Sequence, residues 1–389
     1  MSTSFSSGKE APGKDELISI NGKRAAEAMQ SRRHEIAVTC SENHKGTRVL
    51  ILTREYHKQI LGCGAGFSGD GFSTITITNP VVCSRLDFAA RLKIKLGISI
   101  DDFRKKKDDE FNRQIRELCD VFQPHIVYVV QGIQLYGDTV EYLKKTSFLV
   151  ADLCDRLSLF PQLYDYLPHY DMVYTYSKDD SDELNKGGTP CIYIPTGTDT
   201  ALFCPKDLPR DIDLSFVGIM YDDRREYLTK LVRELPEVKI RIWGVYAPPR
   251  LPLQYIKWLT DKRLKECFMN KEVTREEVSQ IYSRSKICLN MNRDNIGNGW
   301  SDRFANIAAT KSFQLITYNE MVAELFAGCV GTFDSYEDLK QKVRYFVQQD
   351  KLRESMAEAC YNRFLAECQN TGFNINQDIM EKAEKNGNR

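Results

Sequence analysis

Residues 297–317 read GNGWSDRFANIAATKSFQLIT. The run KICLNMN (286–292) before them has the aliphatic character of a buried strand, and QLITYN (314–319) has it again at the far end. Between the two lies a turn rich in Gly and Asn, then Trp300, Ser301, Asp302 and Arg303, then a helix of small residues. Strand, helix, strand is the repeating unit of a parallel sheet with helices on its faces. A helix start offers free N–H groups and a partial positive charge, which suit an anion such as a diphosphate. Ser301 or Asp302 can cap this helix, and Arg303 brings a fork of donors matched to phosphate oxygens. Ala305, Ala308 and Ala309 let the helix pack close to the sheet. The plainer reading is a capped, solvated helix start, and the residues alone leave the two open.

The same alternation extends outward in both directions. In the C-terminal half, strand IDLSFVGIM (212–220) leads to helix DDRREYLTKLVREL and strand VKIRIWG (238–244). A Pro-rich connection APPRLPLQY precedes helix TREEVSQIYSRS (274–285). Past residue 317 come helix EMVAELFAG, strand CVGTFDS, helix YEDLKQKVRYFVQQ and a last long helix, residues 351–368. The N-terminal half repeats the pattern with strands TRVLILT (47–53), HIVYVVQG (125–132), SFLVADLC (147–154), DMVYTYS (171–177) and CIYIPTGTD (191–199). The expected architecture is α/β, two Rossmann-like domains facing across a cleft and joined near TGTDTALFCPKDLPRD. The boundaries drawn are a polar tail at 1–46, one domain at 47–195 and a second at 206–350. A C-terminal helix from 351–389 is expected to return to the first domain. Ligands of open α/β sheets lie beyond the carboxyl ends of the strands. LGCGAGFSGDGFS (61–73) is a Gly-rich loop, and it is not a GxGxxG turn opening a helix directly behind a strand.

The 389 residues suffice for two or three domains at roughly 100–200 residues each. Lys plus Arg and Asp plus Glu number 54 each, a balance that argues against a nucleic-acid binder. No apolar run reaches the 18 or so residues of a membrane span, and the N-terminus lacks the apolar core of a secretory signal. The expected location is cytoplasmic, with peripheral membrane contact left open. The twelve cysteines form no CxxC or CxxxC pair and sit in apolar runs, as buried reduced thiols do.

Taken together, several segments resemble the GT-B glycosyltransferases of the CgeB-like, family-1-related type. YIPTGTDTALFCP (193–205) resembles their interdomain passage, and DLSFVGIMYDDRREYL (213–228) the first strand and helix of their donor domain. IYSRSKICLN (281–290) and GWSDRFANIAATKSFQLITYNEMVAELF (299–326) resemble the core of the donor site. Residues 333–363 resemble the terminal strand and helices, and SFLVADLCDR with YDMVYTYSKDD the acceptor-domain segment carrying an Asp at a strand end. The similarity runs from about 120 to 368. The chain has Lys311 where the family usually has Gly, lacks the Glu often found near Ala305 and Asn306, and lacks a His in LAECQNTGFN.

The resemblance implies a transfer of sugar from a nucleotide-diphosphate sugar to a glycan, protein or small-molecule acceptor. For the donor, the candidates are Gly218, Arg224, Arg225, Asn290, Asn292, Ser301, Asp302, Arg303, Lys311 and Asp199. Arg224 and Arg225 are either a second phosphate contact or paired charges on a surface helix. Asn290 and Asn292 can hydrogen-bond a sugar or ribose, and Asp199 either touches a donor hydroxyl or fixes its turn. Lys311, in place of the family's Gly, either reaches the donor phosphates or marks an altered pocket. An inverting transfer needs a base. Asp152, matching the Asp of the resembling enzymes, is the first candidate, and His57 and His169 stand near other strand ends; Asp155 follows Asp152. No DxD pair stands at a strand end, so no metal and no cofactor is expected, with the helix dipole and cations stabilising the leaving diphosphate. The competing readings are a nucleotide-sugar epimerase and a non-catalytic GT-B-like scaffold of an envelope or spore coat.

Overall fold

A computed structural model describes residues 14–32, 37–40, 46–54, 72–79, 100–132, 135–247, 252–292, 299–370 and 375–386. The chain forms two compact units: Met1–Thr175 with Asp180–Tyr193 and Asn374–Arg389, and Tyr176–Asp179 with Ile194–Phe373.

Among the described residues the first unit holds a seven-stranded sheet. Its strands are β1 (Ala37–Cys40), β2 (Thr47–Arg54), β3 (Phe72–Asn79), β4 (Ile126–Val130), β5 (Phe148–Leu153), β6 (Met172–Thr175) and β7 (Cys191–Tyr193). They lie in the order β1-β3-β2-β4-β5-β6-β7. All neighbours are parallel except β1 with β3. Every residue of β4 (IVYVV) is buried, as a strand covered on both faces requires.

The stretch 1–46, read as a polar tail with at most a loose helix around RAAEAMQSRR, holds more regular structure among its described residues. Residues Lys14–Arg32 form a 19-residue helix packed on helix Ile100–Phe122, and β1 extends the sheet. Hydrophobic periodicity is weak along this helix because its inner face combines Ser, Gly and Ala with a single Met. Ser19, Ala26 and Met29 are buried, and the Ser19 hydroxyl lies 3.3 Å from that of Ser73. At Gly22 a Cβ would come 2.4 Å from the Phe122 ring, so the close approach of the two helices needs glycine there.

The second unit has five parallel strands: β8 (Ile212–Val217), β9 (Ile240–Trp243), β10 (Ser285–Asn290), β11 (Gln314–Thr317) and β12 (Gly331–Phe333). Their order is β12-β11-β10-β8-β9. The chain therefore steps one way from β8 to β9, then crosses back and continues through β10 to β12. The reversal makes the carboxyl ends of β8 and β10 the switch point at which α/β sheets open a crevice. The first sheet reverses in the same way between β2 and β4.

The C-terminal segment also differs from the single helix expected. Helix Asp350–Asn370 packs on helix Asp302–Ala309 within the second unit. A separate helix, Ile375–Asn386, belongs to the first, where Asp378 accepts a 2.7 Å hydrogen bond from Tyr174. Among the described residues Cys119, Cys191, Cys288 and Cys360 are free thiols, and burial pushes them up to about 12.

Candidate functional site

The quoted stretch builds the switch point of the second sheet. Trp300 is buried against Phe304 and Phe326, and its indole N–H donates to the Thr196 carbonyl at 2.8 Å. This anchor fixes where the helix begins. Ser301, not Asp302, is the cap: its hydroxyl accepts the Phe304 N–H at 3.4 Å. That hydroxyl in turn donates to Asn292 Oδ1 at 3.5 Å. Asp302 is exposed in the first turn. The N–H groups of Asp302 and Arg303 have no acceptor among the described residues, as expected for the leading positions of a helix. Ala305, Ala308 and Ala309 are buried between the sheet and helix 350–370.

Arg303 reaches from this helix across both strand ends. Its Nε donates to the Val217 carbonyl of β8 at 3.1 Å, and Nη1 to Asn290 Oδ1 and the Met291 carbonyl at 3.3 and 3.2 Å. The guanidinium lies 5.2 Å from the centre of the Phe216 ring. Gly218 lets it come this close, because a Cβ there would stand 2.5 Å from Arg303 Nη2. No carboxylate pairs with Arg303 among the described residues.

The neighbouring candidates are engaged as follows. Arg224 is buried, neither a surface charge nor a free fork: Nη2 donates to the Met291 carbonyl at 2.6 Å and Nη1 to Ile219 at 3.3 Å. Arg225 donates to the carbonyls of Tyr246 and Met220. Carbonyls at strand ends have no ladder partner, and these arginines satisfy them. Asn290 is fully buried, gives an amide N–H to Gln314 at 3.2 Å and accepts from Arg303 at 3.3 Å, so it braces Arg303. Asn292 is different. Its Oδ1 takes the Ser301 hydroxyl, which fixes the orientation of the amide, and its Nδ2 is buried with no hydrogen-bond partner.

Two candidates lie elsewhere. Asp199 accepts from the N–H groups of Ala201 and Leu202 and lies 3.9 Å from Arg275, so it fixes its turn. Lys311 stands past the far end of helix 302–309, and its ammonium pairs with exposed Glu358 at 2.8 Å. Its φ of +53° is the left-handed conformation in which helices end, usually at glycine. The Gly of the resembling enzymes thus corresponds to a backbone requirement, and Lys311 is not brought near Arg303's end of the helix. Lys311→Gly relieves roughly 1–2 kcal/mol of left-handed strain. It gives back about 0.5–1 kcal/mol of glycine entropy and a few tenths for an exposed ion pair. The expected outcome is a Tm rise of about 1–2 °C with unchanged nucleotide affinity; a lower Tm would show that the Glu358 pair outweighs the strain.

In the first unit Asp152 sits at the carboxyl end of β5 and accepts a 2.7 Å hydrogen bond from Tyr128 of β4. Gln131, which the sequence gave no reason to single out, organises the loop beyond it. Its Oε1 accepts the N–H groups of Cys154 and Asp155 at 2.8 and 2.9 Å, and its own N–H donates to the Asp152 carbonyl at 2.8 Å. These contacts hold it at φ +61°. They also leave Nε2 buried without a hydrogen-bond partner. His169 ends a short turn before β6 and so lies at the amino end of the sheet, opposite the edge that carries Asp152. His57 lies outside the described residues. Among the described residues no group of three His, Cys, Asp or Glu side chains is placed to hold a metal ion, and no helix is long and apolar enough to cross a membrane.

Residues 224–371 match the model of a family described as glycosyl transferase-like. No curated protein sequence matches the chain. Among solved structures it is similar to sucrose-phosphate synthase from Thermosynechococcus elongatus, at 11% identity and a TM-score of 0.62 over 88% of this chain and 98% of that one. It is similar to a UDP-forming α,α-trehalose-phosphate synthase from Burkholderia vietnamiensis (10%, 0.58, covering 88% and 99%). A glycosyltransferase from Rickettsia africae is a third (14%, 0.54, covering 86% and 99%). At these identities the likeness shows the fold, which is α/β of the GT-B glycosyltransferase class.

Proposed function

We propose that the chain is a glycosyltransferase that uses a nucleotide-diphosphate sugar. One observation carries the reading: donors without acceptors gather at the switch point of the second sheet. Among the described residues Arg303 has no carboxylate partner, Asn292 Nδ2 has no acceptor, and the leading N–H groups of helix 302–309 are unclaimed. A diphosphate supplies the negative charge and acceptor oxygens that such a place lacks. The exposed carboxylate of Asp302 suits a hydroxyl of the ribose or the sugar.

In an inverting transfer an acceptor hydroxyl attacks the anomeric carbon as the bond to the diphosphate oxygen breaks, and Asp152 takes the hydroxyl proton. Charge building on the leaving diphosphate falls to Arg303 and the helix N-terminus, so the reaction proceeds without a metal ion. Gln131 Nε2 is assigned to an acceptor oxygen. The acceptor is a glycan, a protein or a small molecule. The motifs at 193–228 and 281–326 support the narrower CgeB-like assignment, and the unpaired buried thiols support a cytoplasmic setting.

Thermal unfolding against UDP, GDP, dTDP, ADP and CMP, with and without Mg²⁺ and with EDTA, tests the reading. A nucleotide at about 100 times its dissociation constant adds roughly 2.7 kcal/mol of stability. One nucleotide is expected to stand out, with the same shift in EDTA. A flat panel would remove the donor site and leave a non-catalytic scaffold; a shift that EDTA abolishes would overturn metal independence.

A further inference from the structure

Helix Pro252–Thr260 (PLQYIKWLT) follows β9, the edge strand of the second sheet. One side carries Tyr255 and Trp258, packed on the core that holds Tyr246 and Phe268, and the Trp258 indole donates to the Phe268 carbonyl at 3.1 Å. A surface helix places polar residues on its other side. This one does not. At about 100° per residue, Leu259, Ile256 and Leu253 share the outer arc, and they are 43, 55 and 82% exposed. Lys257 closes the arc, and helix Lys262–Cys267 adds exposed Lys262 and Lys265. None of the three lysines has a carboxylate partner among the described residues, while Asp261 between the helices is taken by Arg233 at 3.0 Å. Glu266 is the one exposed acid of the two helices that no cation pairs.

We propose that this face rests on an anionic lipid surface. Leu253, Ile256 and Leu259 insert at the boundary of headgroups and acyl chains, and the lysines lie among the phosphates. Two features favour lipid over protein. Protein interfaces are depleted of lysine and enriched in aromatic residues and arginine, and here the aromatic residues turn inward while aliphatic side chains and lysines face out. The charge balance of the patch is also positive although that of the chain is zero. At 1.5 Å per residue a nine-residue helix is about 14 Å long, half the thickness of a bilayer core, so the contact is peripheral.

Sedimentation of the full chain with phosphatidylcholine vesicles, and with vesicles containing about 30% phosphatidylglycerol, tests this. The wild type is expected to bind the anionic vesicles, and raising salt from about 0.1 to 0.5 M to weaken binding. The triple change Leu253→Gln, Ile256→Gln, Leu259→Gln is expected to reduce binding about tenfold or more. Lys257→Gln, Lys262→Gln, Lys265→Gln together should remove the preference for anionic lipid. All six positions are exposed, so both variants should keep the wild-type Tm. Absence of wild-type binding, or undiminished binding by the aliphatic variant, would overturn the proposal. So would a wild-type dimer that the aliphatic variant converts to monomer, which would assign the face to a second copy of the chain.

Discussion

Arg303→Ala is expected to lower kcat/KM for the nucleotide sugar about 10²–10³-fold, the usual cost of losing one preorganised donor to a developing negative charge. The change also has a structural cost. Arg303 serves the Val217 carbonyl and Asn290 Oδ1 and shares the Met291 carbonyl with Arg224, and an orphaned buried acceptor costs about 1–3 kcal/mol when water cannot replace the donor. Two measurements separate these effects. Circular dichroism at the assay temperature reports whether the variant is folded, and nucleotide titration of the folded protein reports the site. Arg303→Lys keeps a positive charge but loses the planar fork, so it should recover part of the stability and little of the turnover. A folded Arg303→Ala protein with wild-type nucleotide affinity and turnover would confine Arg303 to bracing β8 against β10.

Asp152→Asn is expected to lower kcat about 10²–10⁴-fold, the range for losing a positioned base. KM for the donor should stay near the wild-type value. The amide has the shape of the carboxylate and its oxygen still accepts the Tyr128 hydroxyl, so Tm should move little. That combination separates the prediction from a stability effect. Tyr128→Phe tests the positioning: it leaves the carboxylate but removes the Tyr128 hydrogen bond, and should cost less than Asp152→Asn. Equal turnover by the Asn variant would remove Asp152 as the base and move attention to Asp155, whose N–H is held by the same Gln131.

The second unit was readable in the sequence because its signals are local. KICLNMN, the Ser301 cap, the alanines and QLITYN each declare their element within a few residues, and β10, helix 302–309 and β11 lie where those segments place them. Of helix 14–32 only a loose helix around RAAEAMQSRR was legible, because it packs through Ser19, Gly22 and Ala26, which carry no hydrophobic period. The strand β1 is four residues long and pairs antiparallel with β3, a relation that nothing in AVTC announces.

By itself the sequence determined the alternation of strands and helices, the start of helix 302–309 and its alanine face, since propensity, capping and periodicity act between residues a few positions apart. Which polar groups meet was decided only by the tertiary structure. Arg303 and Val217 are 86 positions apart and Arg224 and Met291 are 67 apart, yet parallel pairing of β8 with β10 sets them side by side. That pairing commits Arg224 and Asn290 to the strand ends, while the packing of helix 302–309 on helix 350–370 commits Lys311 to Glu358. It leaves Arg303 without a carboxylate partner and Asn292 Nδ2 without an acceptor among the described residues, and in the first unit the β4–β5 pairing does the same for Gln131 Nε2. The reason is physical: a buried donor takes whichever acceptor the packed backbone brings to it, and sequence order does not carry that distance.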